Sequence, residues 1–498
     1  MKKLFEKLND IYKLKTTQSL LSWDQETQLP EGAIDFRSEQ MAFLAKLQHQ
    51  FHCSDSFKEE LSKFVNCDTG ECTDSLNSSD RRLIDCIYKD WKQSTALPEA
   101  FVEEYTKLCS KAQHVWQEAR EKSNFKLFSP YLKRLVEMSK EKAKYLNPSN
   151  SAYDVLLDLY EEGLTVDTIN PLFSKLREET VTLLKSVQQS KASFYDLGKH
   201  KYNTDQQWSF GLSVLEKMGY DFKRGRQDKS THPFTIDISP SDVRITTRVD
   251  ESKLMEALSS SIHEGGHGLY EQGLNTDFLG TPYCESVSLG IHESQSRIWE
   301  KVIGQSMPFW DHFYPKLGKC LPQLSDCTQD EFYRSINQVN PGFIRVEADE
   351  LTYNLHIMIR YEIEQMIFNE GLSVDKLPEV WNEKVKDYLG LEVKNDKFGV
   401  LQDVHWSCGL FGYFPTYTMG NLYSVMLFEQ LEKDIPDLRG YISKGDLGVV
   451  SEWSSEKIYT HGRRYSPPEL IERITGSELS CDPFVSYLNR KYSKIYRL

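Results

Sequence analysis

Apolar residues recur at three- and four-residue spacing along most of this chain, which is the pattern of helices that bury one face. Leu4, Leu8 and Ile11 form one such stripe near the start. Residues 100–146 repeat the pattern, with Lys and Glu on the opposite face. The first two hundred residues therefore predict a succession of helices.

One segment breaks this helical periodicity. Residues 233–249 alternate apolar and polar side chains with a period of two, around a turn-like SPSD sequence. Helical spacing resumes at Asp250, a residue type that favours helix N-caps. We therefore predict a mainly α fold with a small β-hairpin.

No linker or composition shift divides the chain, so we predict one unit of 498 residues. Apolar residues make up 39% of it, enough for a sizeable core, which excludes a disordered chain. The formal net charge of -14 argues against nucleic acid and anionic membranes as partners. No apolar run is long enough to span a membrane.

The cysteines and the N-terminus favour a cytoplasmic location. The ten cysteines have no spacing typical of a disulfide framework and include no Cys-x-x-Cys. The N-terminal sequence MKKLFEKLNDIYKLK has neither the continuous apolar core nor the cleavage site of a secretory signal. We expect a reducing compartment with free thiols.

The sequence HEGGH at 263–267 carries the strongest chemical signal. On a helix, residues four apart lie roughly 40° from each other, so His263 and His267 project from one face and can share a metal ion. Glu264 lies beside that face, where a general base for a metal-activated water is needed. The alternative is a helix whose two histidines are satisfied by neighbouring side chains.

Two adjacent glycines inside this motif need a reason, since each costs a helix about 1 kcal/mol relative to Ala. We expect that Gly265 and Gly266 allow close approach of the substrate or of another backbone. The alternative is ordinary packing against a neighbouring helix.

A catalytic zinc needs a third protein ligand and an open position for water. The helix-like segment at 286–304 offers Glu293, and two helices joined by a turn can bring it to the two histidines. Glu300 and His292 are rival ligands on spacing alone, and each also fits an outer or solvated role. A site of two histidines and one glutamate favours Zn²⁺, although spacing also allows Co²⁺ or Mn²⁺.

Six short motifs follow one another along the chain: HPF at 232–234, DVRIT at 242–246, HEGGH at 263–267, HESQ at 292–295, IRVEAD at 344–349 and GVLQDVHW at 399–406. The sequence SWDQ at 22–25 precedes them. In these motifs the chain resembles the carboxypeptidase Taq family of metallocarboxypeptidases, which are HEXXH zinc peptidases of gluzincin-like type. The resemblance covers essentially the full length.

This resemblance implies a large, mostly helical, cytoplasmic and homodimeric peptidase. It implies a small sheet beside the active site and two halves that flank a substrate groove. We expect a mostly helical N-terminal half at 1–200 and a catalytic half with the metal site at 201–498. It also implies His263, His267 and Glu293 as metal ligands and Glu264 as the general base.

The resemblance further assigns the substrate's terminal carboxylate to the arginine of the IRVEAD motif, Arg345. A planar guanidinium suits that task because it can bind both carboxylate oxygens. The alternative is a structural arginine that braces the helix expected from about Glu350. Arg244 is the second candidate, and its alternative is pairing with Asp242 or Glu251.

In the same family, a tyrosine downstream of the HW motif is associated with stabilising the tetrahedral intermediate. We favour Tyr417, with Tyr413 as the rival. His405 is a further candidate hydrogen-bond donor to the substrate or oxyanion, and its alternative is a histidine packed among aromatic side chains. We expect Asp403 to orient an imidazole or a metal ligand.

We therefore predict a metal-dependent carboxypeptidase that removes single amino acids from peptide C-termini by zinc-hydroxide attack. Its substrates are peptides with a free C-terminal carboxylate. The runner-up is a related helical zinc endopeptidase or oligopeptidase. A catalytically inactive helical interaction protein is a third reading, disfavoured by the intact HEGGH motif and Glu293.

Overall fold

The computed structural model describes all 498 residues and consists of twenty α-helices and one three-stranded sheet. The prediction of a mainly α fold with a small sheet is therefore confirmed. In chain order the helices are α1 (Lys2–Thr27), α2 (Ile34–His52), α3 (Asp55–Leu61), α4 (Ser78–Thr95), α5 (Glu99–Glu121), α6 (Phe125–Leu146), α7 (Ala152–Asp158), α8 (Val166–Gln189), α9 (Thr204–Met218), α10 (Leu254–Gly273), α11 (Leu289–Arg297), α12 (Met307–Cys320), α13 (Gln329–Ile336), α14 (Glu350–Asn369), α15 (Leu377–Leu389), α16 (Pro415–Asp434), α17 (Leu438–Lys444), α18 (Gly448–Lys457), α19 (Pro467–Thr475) and α20 (Asp482–Tyr496).

The sheet contains the predicted hairpin and one further strand. Its strands are β1 (Gly225–Lys229), β2 (Thr235–Ser239) and β3 (Asp242–Thr247), in the order β1-β3-β2. The hairpin strands β2 and β3 are antiparallel, whereas β1 pairs with β3 in parallel. The sequence did not predict β1, because the segment GRQDK has no apolar alternation and buries only Gln227.

Contacts group the chain into two compact units, each built from three segments. Unit 1 comprises residues 1–94, 194–336 and 423–478. Unit 2 comprises residues 95–193, 337–422 and 479–498. Each unit draws on both of the halves expected from the sequence, because helices far apart along the chain pack together. None of the helices combines the length and apolarity needed to cross a membrane.

In unit 1, α10 packs against α9, α11 and the sheet. Val243 and Ile245 of β3 are fully buried, which anchors the hairpin in this core. The helix begins at Leu254, four residues later than the expected cap at Asp250. Asp250 instead accepts a hydrogen bond from the backbone N–H of Ser252, at 2.7 Å, within the turn that precedes the helix.

In unit 2, α14 is buried around most of its circumference, unlike an ordinary amphipathic surface helix. Three of its fully buried residues have basic or acidic side chains: His356, Arg360 and Glu364. Charged side chains are almost never buried unless they are paired, so this helix is expected to carry internal polar contacts.

Candidate metal centre and active site

Helix α10 presents the two histidines of the HEGGH motif on one face. The rings of His263 and His267 meet edge to face, with their centroids 4.9 Å apart. Helix α11 brings Glu293 to the same place: its Oε2 lies 3.6 Å from Nε2 of His263 and 3.4 Å from Nε2 of His267. One ligand atom from each of these three side chains lies within 4.8 Å of the others.

This spacing fits a tetrahedral metal site. Ligand atoms about 2.1 Å from a zinc ion lie about 3.4 Å from one another in tetrahedral geometry. Two imidazole nitrogens and one carboxylate oxygen, with a fourth position left for water, are the donor set of a catalytic zinc site. The same donors also accept Co²⁺ or Mn²⁺.

Further side chains hold two of the three candidate ligands, His263 and Glu293, in orientation. Nδ1 of His263 lies 2.8 Å from Oε2 of Glu300, which leaves Nε2 directed at Glu293. Nε of Arg297 donates to the other oxygen of Glu293, Oε1, at 2.7 Å. Such outer carboxylate and guanidinium partners fix the rotamers of metal ligands. Glu300 belongs to a π-helical turn, Ile298–Ile303, a feature that often marks functional sites.

His292 also lies outside the ligand group. Its Nε2 lies 2.8 Å from Oε1 of Glu271, and its ring stacks on His267 with a centroid distance of 4.3 Å. The structure therefore brings Glu293, and neither Glu300 nor His292, into line with both histidines. Glu300 contacts the ring of His263 on the side away from Glu293, and His292 stacks on the ring of His267.

Glu264 is buried beside this centre. The hydroxyl of Thr235, on β2, donates a hydrogen bond of 2.6 Å to its carboxylate. Burial raises the pKa of Glu264. Burial lowers the pKa of His267 to about 3, so its imidazole is neutral, as metal binding requires.

In unit 2, Asp403 holds two guanidinium groups. Nε of Arg345 donates to Oδ1 of Asp403 at 3.0 Å, and Nη1 of Arg345 donates to the hydroxyl of Tyr353 at 3.1 Å. Nε of Arg360 donates to Oδ2 of Asp403 at 2.7 Å. Burial alone would raise the pKa of Asp403, but the two guanidinium groups outweigh it and hold that pKa well below its usual range. Asp403 thus orients arginines, whereas the sequence suggested an imidazole or a metal ligand.

The aromatic candidates surround His405 in the same unit. Nε2 of His405 lies 3.5 Å from the hydroxyl of Tyr417, and burial lowers the pKa of this histidine to about 4. The ring of Tyr417 also lies 5.1 Å from the guanidinium of Arg345. Tyr413 packs edge-on against Tyr160 and contacts His405 at a centroid distance of 5.4 Å. Tyr417 thus contacts both His405 and Arg345.

Arg244, the second arginine candidate, lies on β3 in unit 1. It forms a bidentate ion pair with Asp242, with both hydrogen bonds 2.8 Å long. Its guanidinium also lies 4.3 Å from the ring centre of Trp23. The pairing with Asp242 was one of the alternatives that the sequence allowed.

Sequence reasoning missed three residues that shape these sites: Thr235, Arg297 and Arg360. Arg297 lies four residues after Glu293, a spacing that predicts an ion pair when both residues are on a helix. Arg360 interrupts the apolar run LHIMIRYEI, which signals a buried and paired charge. Thr235 carried no signal, because its contact with Glu264 joins residues that are distant along the chain.

Comparisons with known proteins agree on one family. The family model described as carboxypeptidase Taq (M32) metallopeptidase matches residues 3–492. Carboxypeptidase 1 of Bacillus subtilis is 39% identical, covering 100% of this chain and 99% of its own length. Thermostable carboxypeptidase 1 of Thermus thermophilus is 40% identical, covering 97% and 96% respectively. The M32 carboxypeptidase structure from Deinococcus radiodurans superimposes with a TM-score of 0.96 at 36% identity, covering 100% of this chain and 99% of that one.

Proposed function

This chain belongs to the carboxypeptidase Taq (M32) metallopeptidase family, and we propose that it removes single amino acids from the C-termini of peptides with zinc as its metal. The observation that carries this proposal is the convergence of His263, His267 and Glu293 beside the buried carboxylate of Glu264.

The three ligands would hold the metal through Nε2 of each histidine and Oε2 of Glu293. A zinc ion bound there supplies Lewis-acid chemistry, which activates water and polarises a carbonyl group. Glu300 and Arg297 keep His263 and Glu293 in the rotamers that ligation needs.

Glu264 acts as the general base and then as the general acid. Its carboxylate takes a proton from the attacking water and passes it to the nitrogen of the leaving amino acid. The hydrogen bond from Thr235 supports this role, because it holds one carboxylate oxygen in place.

Arg345 binds the terminal carboxylate, and Tyr417 or His405 donates a hydrogen bond to the oxyanion. Support for Arg345 comes from its planar donors and from Asp403, which fixes their orientation. Support for Tyr417 comes from its contacts with His405 and Arg345. Arg244 and Tyr413 remain the second candidates for substrate binding.

Mass spectrometry of peptide products tests the proposal. A peptide with a free C-terminus should lose one residue at a time from that end, and a chelator should abolish the loss. The same peptide with an amidated C-terminus should be cut far more slowly. Equal cleavage of both forms, or internal cuts, would favour the zinc endopeptidase instead.

Two further parts of the proposal rest on the sequence and its family resemblance and not on the geometry of the site. We propose a homodimer, which light scattering on the purified protein tests as a mass twice that of one 57.9 kDa chain. We propose a cytoplasmic location, which fractionation of cells that express the protein tests.

A further inference from the structure

Arg345, Arg360 and Asp403 form a buried cluster of two positive charges and one negative charge. Arg360 lies fully inside the protein, with its guanidinium 4.6 Å from the ring centre of Trp381. Besides Asp403, it donates from Nη1 to the backbone carbonyl of His356 at 2.6 Å. Arg360 therefore has no route to a substrate, and its contacts are all internal.

The two histidines beside these arginines add no charge near pH 7. Burial lowers the pKa of His356 to about 3 and that of His405 to about 4, so both are neutral near pH 7. Glu364, one turn further along α14, accepts hydrogen bonds from the side chains of Trp406 and Tyr153 and from a backbone N–H. Burial raises the pKa of Glu364 to about 7, so this carboxyl group is mostly neutral below that pH. Below pH 7 the cluster thus carries a net charge of about one positive unit, from two arginines and one aspartate.

A single buried arginine–aspartate pair would be electrically neutral. Such a pair offers hydrogen bonds to a carboxylate but little net attraction. Nε and Nη2 of Arg345 contact Asp403, and Nη1 donates to the hydroxyl of Tyr353. Each terminal nitrogen has a second N–H, so Arg345 still has donors to offer to a carboxylate.

We propose that Arg360 sets the charge of the carboxylate-binding site, because it neutralises Asp403 and so leaves the positive charge of Arg345 to the terminal carboxylate of the substrate. This inference rests on the proposed role of Arg345. Arg360 is a positioning residue, which acts on the substrate only through Asp403 and Arg345.

Titration calorimetry tests this inference in the metal-loaded Glu264→Gln protein, which should bind peptides without cutting them. The probe is one short peptide, prepared as the free acid and as the C-terminal amide. The measured quantity is the ratio of their dissociation constants. Arg360→Met makes the cluster neutral and should reduce the preference for the free acid on the order of tenfold. Arg360→Lys keeps the charge and should keep the preference.

The double variant Arg360→Met/Asp403→Asn separates charge from packing. It restores a net charge of about one positive unit with neither Arg360 nor the Asp403 carboxylate present, and it should recover most of the preference. Arg177→Met is the matched control, since Arg177 also pairs with a carboxylate and a tyrosine in unit 2, Glu362 and Tyr388. It should leave the ratio as in the parent.

The outcomes are distinct. If the parent protein binds acid and amide equally, the proposed role of Arg345 fails. If the parent prefers the acid but Arg360→Met keeps that preference, the inference about Arg360 is overturned. Loss of preference in both Arg360→Met and the double variant would also overturn it, because packing would then be the cause. Should Arg360→Met not fold, Asp403→Asn alone decides: the preference should be kept or increased, and a fall would contradict the inference.

Discussion

Gly266 of α10 lies directly against the backbone of Ser296 of α11. A Cβ atom at position 266 would lie 2.7 Å from the Cα atom of Ser296 and 2.8 Å from the carbonyl oxygen of Gln295. Ser296 is one helical turn from Glu293, so this contact sets how near Glu293 comes to the two histidines. The close approach expected from the paired glycines is therefore an approach of another backbone at Gly266, whereas Gly265 packs against side chains of α9, which was the alternative.

Gly266→Ala should weaken metal binding by at least about tenfold, because α11 must move away and carry Glu293 with it. Competition with a chelator of known affinity measures this. Gly265→Ala is the control for packing strain, since its Cβ would meet the Leu215 side chain of α9 and not the backbone of α11. Unchanged metal affinity in Gly266→Ala would show that this contact does not control the site.

Glu264→Gln should retain the metal and lose turnover by about 10²–10⁴-fold, because the amide cannot accept the proton. Metal analysis and kcat for a free-acid peptide are the two measurements. Thr235→Val should keep the metal and lower kcat less, since it removes only the hydrogen bond to Glu264. Substantial activity in Glu264→Gln would assign the base to another group.

Glu300→Gln should weaken metal affinity by about 10–100-fold while leaving all three ligands in place, because it removes the carboxylate behind His263. Glu293→Gln should have the larger effect, since it removes a ligand. Glu362→Gln is the control, because its carboxylate pairs with Arg177 and Lys384 in unit 2. If Glu300→Gln loses as much affinity as Glu293→Gln, Glu300 is itself a ligand.

Glu364 should make the protein less stable as pH rises. Burial raises its pKa from 4.5 to about 7, so the folded state binds a proton more tightly than the unfolded state. The resulting stabilisation is complete below pH 4.5 and is lost as pH rises to about 7. In Glu364→Gln this dependence disappears. The wild-type protein should therefore lose about 3 kcal/mol of unfolding free energy relative to the variant across this range.

Denaturant unfolding of both proteins at several pH values measures that difference. Other groups titrate alike in the two proteins, so their contributions cancel. Parallel stability profiles would mean that Glu364 keeps an ordinary pKa in the folded state.

Local geometry explains why so much of the metal site could be predicted. His263 and His267 share a face in any helix, since a spacing of four residues is nearly one turn. The period-two pattern of β2 and β3 likewise depends only on neighbouring residues. Their sequences therefore predicted the paired histidines and the hairpin without knowledge of the rest of the chain.

Helix packing resolved the alternatives that spacing left open. Glu293, Glu300 and His292 are all plausible ligands by position, and only the approach of α11 to α10 directs Glu293 at both histidines. The distance between those helices depends on contacts such as that of Gly266 with Ser296, which no local pattern reveals.

Local patterns likewise could not reveal the partners of Asp403 or the strand β1. Asp403 is more than forty residues from both arginines that it pairs with, and β1 is held by its ladder with β3. Residue identities and the spacing of apolar residues were enough to predict the helical class, the hairpin and the paired histidines of HEGGH. The placement of Glu293 against both histidines, the partners of Asp403 and the contact of Tyr417 with Arg345 required the packed chain, because contacts between distant residues depend on how whole elements fit together.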